Sequence, residues 1–202
     1  MKHLIVYAHP NKDSFNHAIL QTMINTLTDL GAVVNIRDLY ELKFNPCYSI
    51  KDIEAAKTGD YPKDVLTEQN YIQEADKITF ISPVWWSYLP AVLKGYFDRV
   101  FTSGFAFNIL ENGSQGLLGK KHFGMFNTFG GSRENMKLFG LDKGIEAVID
   151  TGIFKMCESP LCFHRCFYEV EKAGFEKRTQ MLEDVKKEVK KFVLDSDLCP
   201  FF

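Results

Sequence analysis

The chain has 202 residues, 46% of them apolar and 18 of them phenylalanine, which suits one full α/β domain and is too short for two. A net charge of −2 leaves no basic footprint for nucleic acid, and no run approaches the roughly 18 apolar residues of a membrane span, which argues against membrane insertion. Five cysteines without a framework spacing fit the reduced thiols of a cytoplasmic protein.

The opening MKHLIVYAHP pairs a charge with a short apolar run and no cleavage site follows, so it reads as a first strand over residues 4–8 rather than a signal peptide. A loop over 9–16 and a helical pattern over 17–30 come next. Strand, loop and helix in that order aim the free amides of a helix start at whatever lies beyond the strand, a natural place for phosphate. The loop holds no glycine, so neither a Walker loop nor a GxGxxG turn is present. Side chains must help, and His9, Ser14 and Asn16 can each donate to an anion. The alternative is that Ser14 only caps the helix and His9 is an ordinary loop histidine.

Gly31 ends the first helix. A second strand follows over 33–37, then a turn-rich connection to Pro46, a short helix over 49–57, a turn at 59–62 and a helix over 63–74. A third strand over 78–81 stops at Ser82-Pro83, where an amide proton is missing from the ladder. Trp85 and Trp86 come at once, and a helix starts near Pro90 with apolar residues at Leu89, Val92, Leu93, Tyr96, Phe97, Val100 and Phe101. That stripe is too wide for one covered face, which predicts contact with the sheet on one side and with a second subunit or large ligand on the other.

Residues 104–108 form an aromatic turn and 112–116 a flexible connection. A fourth strand over 121–127 ends in Thr128-Phe129-Gly130-Gly131, whose two glycines permit close backbone approach to a ligand. A helix is expected over 145–156, a last strand over 162–170 and an amphipathic helix over 176–194, with Met181, Val185 and Val189 inward. Residues 199–202 are expected to dock on the body. The alternation predicts an α/β domain over 1–202, a doubly wound five-stranded parallel sheet with helices on both faces.

In such a sheet the loops after the first, third and fourth strands converge on one crevice. They offer anion donors, planar aromatics and backbone amides, the three kinds of contact that a flavin needs. A second cluster, Cys157, Cys162, His164 and Cys166, has soft ligands close together but no paired CxxC knuckle. It reads either as a zinc site or as ordinary buried cysteines, with Cys162, His164 and Cys166 on one face of a strand.

The stretches AHPNKDSFN from Ala8, DLYELKFNP from Asp38, SPVWWSYLPAVLKGYFDRVFTSGFAF from Ser82 and TFGGS from Thr128 together resemble the flavodoxin-fold NAD(P)H:quinone oxidoreductase family, which includes mammalian quinone reductases. The resemblance implies a flavodoxin-like fold, FAD as cofactor with FMN the alternative, NAD(P)H as donor and a quinone or similar flat acceptor reduced in ping-pong order. It implies that His9, Ser14, Phe15 and Asn16 hold phosphates and ribityl chain, that Pro83, Val84, Trp85 and Trp86 line the ring, and that Thr128, Phe129, Gly130 and Gly131 bond or cover its other edge. It implies a homodimer with shared sites, with Trp86, Phe107, Ile109 and Met136 meeting substrate. Mammalian members carry a Tyr and a His that fall at Met136 and Asp142 here, so no catalytic acid is carried over. Some relatives are instead ancillary subunits of potassium efflux systems, and a flavodoxin-type electron carrier is a further alternative that the modest charge disfavours.

Overall fold

The computed structural model describes residues 1–159 and 161–195; the expected docking of residues 199–202 lies outside them. In chain order the elements are β1 (Lys2–Tyr7), α1 (Phe15–Asp29), β2 (Val33–Asp38), α2 (Ile50–Thr58), α3 (Lys63–Glu74), β3 (Lys77–Pro83), α4 (Ala91–Val100), β4 (Phe107–Leu110) and β5 (Gly113–Gly116). Then follow β6 (His122–Thr128), α5 (Arg133–Leu138), α6 (Leu141–Glu146), a π-helical segment Ala147–Phe154, a 3-10 turn Lys155–Cys157, β7 (Leu161–Phe167) and α7 (Phe175–Leu194).

The main sheet has five strands in the order β2-β1-β3-β6-β7, every neighbouring pair parallel. This is the flavodoxin-like order, with its switch point between β1 and β3, where the chain turns from building one edge to building the other. Parallel strands are covered on both faces, which is why they read as near-continuous apolar runs. Their alternation sorts the core. Leu4, Val6, Phe80 and Phe123 pack toward Leu93, Tyr96 and Phe97 of α4. Ile5, Tyr7, Ile81 and Phe126 pack toward Ile19 and Met23 of α1 and Val185, Val189 and Phe192 of α7.

The wide stripe of α4 is buried as expected on the sheet side, but its other side is covered in part by the chain itself. The connection after β2 returns over α4, and a Cβ built on Gly95 would lie 2.2 Å from the Pro46 carbonyl oxygen and 2.5 Å from its Cα. Both are backbone atoms, so the neighbour cannot give way by a rotamer change. Gly95→Ala is therefore expected to destabilise by about 1–3 kcal/mol in urea unfolding, against the usual gain of alanine in a helix.

Three departures from the sequence reading have physical causes. The aromatic turn and flexible connection form an antiparallel hairpin, β4 with β5, whose glycine-rich second strand carries no apolar alternation. The helix expected over 145–156 is largely π-helical; a side-chain pattern read over so few turns does not separate that pitch from the α pitch. The short α5 is opened by Ser132, whose side chain accepts from the Asn135 amide at 3.2 Å.

Candidate active site

β1, β3 and β6 end at one edge of the sheet, and the loops leaving them bound a crevice of about 300 Å³. His9, Ser14, Phe15 and Asn16 line it from the first loop, Pro83, Val84 and Trp85 from the second, Thr128 and Gly130 from the third. The first loop turns without glycine because Asn11 makes the turn: its Oδ1 accepts from the Asp13 amide at 2.8 Å and its carbonyl from the Ser14 amide at 3.3 Å. Ser14 does cap α1, with Oγ accepting from the His17 amide at 3.2 Å. Capping uses a lone pair and leaves the hydroxyl proton to give. His9 Nδ1 lies 3.1 Å from the Asn11 amide nitrogen and 3.2 Å from the Asn11 carbonyl oxygen, which fixes the ring against its own loop, and burial lowers the ring's pKa from its ordinary value.

Asn16 is 3% exposed. Its Nδ2 donates to Thr128 Oγ1 at 2.8 Å, tying the start of α1 to the end of β6, while its Oδ1 is buried without a hydrogen-bond partner. A buried acceptor left unpaired costs about 1–3 kcal/mol, so a hydroxyl brought into the crevice would find a ready partner. The ribityl chain of a flavin carries such hydroxyls, and the amides that open α1 suit its phosphate. The residues present fit that cofactor.

Trp85 and Tyr88 exchange backbone hydrogen bonds of 3.0 and 3.1 Å, closing a tight turn with Trp86 at φ 51° and Ser87 at φ 60°. Positive φ at both central positions is the type I′ pattern, which ordinarily takes Asn or Gly. Here a tryptophan takes it, and Trp86 is fully exposed, next to a Trp85 whose ring leans on His9 with centroids 5.8 Å apart. Trp86→Gly is expected to raise stability to urea by about 1 kcal/mol, since only glycine adopts this conformation without strain. Trp85 lines the crevice, whereas Trp86 points to solvent and is not among the residues that line it.

An added Cβ at Gly130 would first meet the Glu171 carboxylate at 3.9 Å, and one at Gly131 would meet nothing within 4 Å. The space beside both glycines is open, and Gly130 lines the crevice. Phe129 differs: its ring turns under the loop, buried against Tyr168 in a stack of 4.8 Å and 23°, so only its backbone is near the crevice. Met136 is buried in the main core rather than facing substrate. Phe107 and Ile109 sit on the hairpin, Phe107 lining an apolar groove with Tyr88, Phe97, Val148, Ile153 and Met156 and Ile109 76% exposed.

The sequence reading did not single out Val170, Glu171 and Arg178, which also line the crevice. Arg178 on α7 is held there by donating from Nη2 to the Val170 carbonyl at 2.9 Å and the Glu171 carbonyl at 3.3 Å. Periodicity showed the inward face of α7 but not that its first turns reach this edge.

The cysteine cluster does not converge. Leu161 pairs with Phe123 and Phe163 with Gly124, which makes Cys162 the extra residue of a bulge and breaks the alternation. Cys162 packs on the α1 and α7 side, whereas Cys157 and Cys166 pack on the other. Among the described residues no group of three or more His, Cys, Asp or Glu side chains is placed to hold a metal ion. Cys47, Cys157 and Cys166 are free thiols, and burial pushes the Cys157 thiol up to about 11. Cys162 is disulfide-bonded, so the expectation of reduced thiols fails at that position. No helix among the described residues is long and apolar enough to cross a membrane.

Residues 1–192 match a family model described as a flavodoxin-like fold. A Haemophilus influenzae protein named an NAD(P)H oxidoreductase is 37% identical over 184 residues, 91% of either chain. The NAD(P)H dehydrogenase (quinone) 1 of Cavia porcellus is 32% identical over 204 residues, 91% of this chain and 74% of that one. A solved NAD(P)H:quinone oxidoreductase from Methanothermobacter marburgensis shares the fold, with a TM-score of 0.85 and 24% identity over 96% of this chain and 97% of that one. With its strand order, its crevice and these relatives taken together, the chain belongs to the flavodoxin-fold family of NAD(P)H oxidoreductases and quinone dehydrogenases.

Proposed function

We propose that this protein is a flavin-dependent oxidoreductase that passes two electrons from NAD(P)H to a quinone or a similar flat acceptor. The observation that carries the reading is the unpaired Asn16 Oδ1, buried in a crevice that also holds a helix start and an approachable pair of glycines. A flavin bound there would supply the redox chemistry, hydride transfer between NAD(P)H and the acceptor. The protein's own groups bind and orient. The first amides of α1 and His9 would hold phosphate, Asn16 Oδ1 would accept from a ribityl hydroxyl, and the amides near Gly130 and Gly131 would donate to the polar edge of the ring.

Trp85 walls one slot, which donor and acceptor occupy in turn, and that sharing imposes ping-pong order. FAD is favoured over FMN because Arg178 and Glu171 also line the crevice, offering a cation and a carboxylate to a nucleotide. A second copy of the chain covers the exposed Trp86, Ile109, Val148 and Met156, bringing Phe107 and Ile109 toward the partner's slot.

Stopped-flow mixing of the flavin-loaded protein with NADH or NADPH is expected to bleach the visible flavin absorbance, and a quinone is expected to restore it. Absence of bleaching with either donor would overturn the reading. Mass spectrometry of the released chromophore decides between FAD and FMN, and light scattering decides the oligomeric state.

A further inference from the structure

A buried polar chain runs from behind the crevice across β6 to the edge strand β7. Ser82 and Asn127 are partners across β3 and β6, both fully buried, and each stands one residue before a crevice residue, Pro83 and Thr128. Asn127 Nδ2 donates to Ser82 Oγ at 3.0 Å and to the Ser82 carbonyl at 3.1 Å, beside the proline that has no amide proton for the ladder. Asn127 Oδ1 faces His164 Nε2 at 2.7 Å, and His164 Nδ1 faces Asp150 Oδ1 at 2.7 Å. An amide oxygen and a carboxylate can only accept, so both ring nitrogens carry protons and His164 is an imidazolium. Burial works against that charge, but the bond to Asp150, supported by Cys166, outweighs it and raises the pKa to about 9. Asp150 comes from the π-helical segment, a rare conformation that recurs at functional sites.

We infer that His164 is a positioning residue for the crevice: it holds the Asn127 amide in the one orientation that ties the end of β3 to the end of β6. It touches no crevice ligand and acts through Asn127. Without the Nε2 proton, two acceptors would oppose each other across that contact, and the ready relief is a flip of the Asn127 amide that takes its donor away from Ser82. Pro83, Val84 and Thr128 then lose a brace behind them. Asp150 and Cys166 face the ring directly, and the cavity of about 410 Å³ on its open side is lined by Arg133, Asp142 and Glu146 from α5 and α6 and by Arg165 and Tyr168. Only the identity of the crevice ligand rests on the proposed function.

Protein labelled with ¹⁵N-histidine and followed by NMR from pH 6 to 10.5 tests the brace without any ligand. Both His164 nitrogens are expected to be protonated at pH 7 and to titrate at about pH 9, with the Asn127 side-chain amide and the Val84 and Thr128 backbone amides moving in the same step. The bond to Asn127 is present below that step and lost as pH rises through it. A neutral ring at pH 7, or a step that leaves those amides unmoved, overturns the inference.

Flavin titration by fluorescence quenching, with FMN and FAD, is the second arm. His164→Leu, which cannot donate to Asn127, is expected to bind about tenfold more weakly, and His164→Gln, which can, within about twofold of the parent. Parent affinity falls above about pH 9 and that of His164→Gln does not. Equal affinity in the leucine variant and the parent overturns the inference. Should the leucine variant fail to fold, the glutamine variant and the pH profile decide. If the parent binds neither flavin, the proposed function fails and the NMR arm alone judges His164.

Discussion

Replacing Arg99 with leucine is expected to lower the free energy of unfolding by about 3–5 kcal/mol at pH 7, read by urea denaturation. Arg99 is 5% exposed on α4. Its Nε donates to Asp52 Oδ1 at 2.9 Å, and its Nη1 to Asp64 Oδ2 at 2.5 Å and to the Asn45 carbonyl at 3.0 Å. The two carboxylates differ: the Asp52 side chain is 4% exposed and that of Asp64 47%. Leucine would strand Asp52 as an unpaired buried charge, while Asp64 could turn to water. Asp64→Asn alone should therefore cost less than about 1 kcal/mol. The double variant Arg99→Leu with Asp52→Asn should be more stable than Arg99→Leu, because most of the loss is the stranded charge rather than the missing pair.

The pH dependence gives a second reading of the same network. Burial opposes the charge on Asp52, but hydrogen bonds from Ser49 and then Arg99 outweigh it and hold its pKa below the ordinary aspartate value. A carboxylate depressed in the folded state contributes stability above its unfolded pKa and loses it as pH falls through the lower folded one. Arg99→Leu removes part of that depression, so the gap between variant and parent should narrow from pH 7 toward pH 3. An equal gap at both would mean that the guanidinium acts by packing alone.

How much of this was legible in the chain depends on whether the signal was local. The strands of the main sheet and the helices α2 and α4 were readable because apolar period and stop residues agree there: Gly59 takes the left-handed cap that ends α2, and Pro90 sits at the start of α4. The crevice was readable too, since it needs only the ends of three strands whose order the fold class dictates. What escaped depends on long-range placement. The inserted Cys162 moves two residues of β7 to the same side, and no property of that residue announces it. Ser82, Asn127, His164 and Asp150 come from three strands and a helical segment, so their chain appears only once the register does. Nothing local to Arg178 marks it as lining the crevice, since its place depends on where α7 lies against β7. Phe129 looked like ring cover for a ligand, yet Tyr168 was there to hold it inside.

Asn16→Leu should bind flavin about tenfold more weakly while leaving the ligand-free protein nearly as stable as the parent, because an acceptor that a bound hydroxyl needs is a liability when nothing is bound. In the ligand-free state Asn16 gains one hydrogen bond, to Thr128 Oγ1, and carries one unpaired buried oxygen; leucine gives up the first, removes the second and adds apolar burial. With ligand bound the balance reverses, since a ribityl hydroxyl would be left facing methyl groups. Thr128→Val separates orientation from chemistry: it keeps the Asn16 amide but removes the partner that fixes which end faces the crevice, so affinity should fall by less than in Asn16→Leu. Fluorescence quenching by titrated flavin and urea unfolding of the ligand-free protein measure the two quantities independently. If Asn16→Leu lost stability and affinity in equal measure, Asn16 would be a packing residue, and the crevice would have to bind its ligand through the helix start and the glycine loop alone.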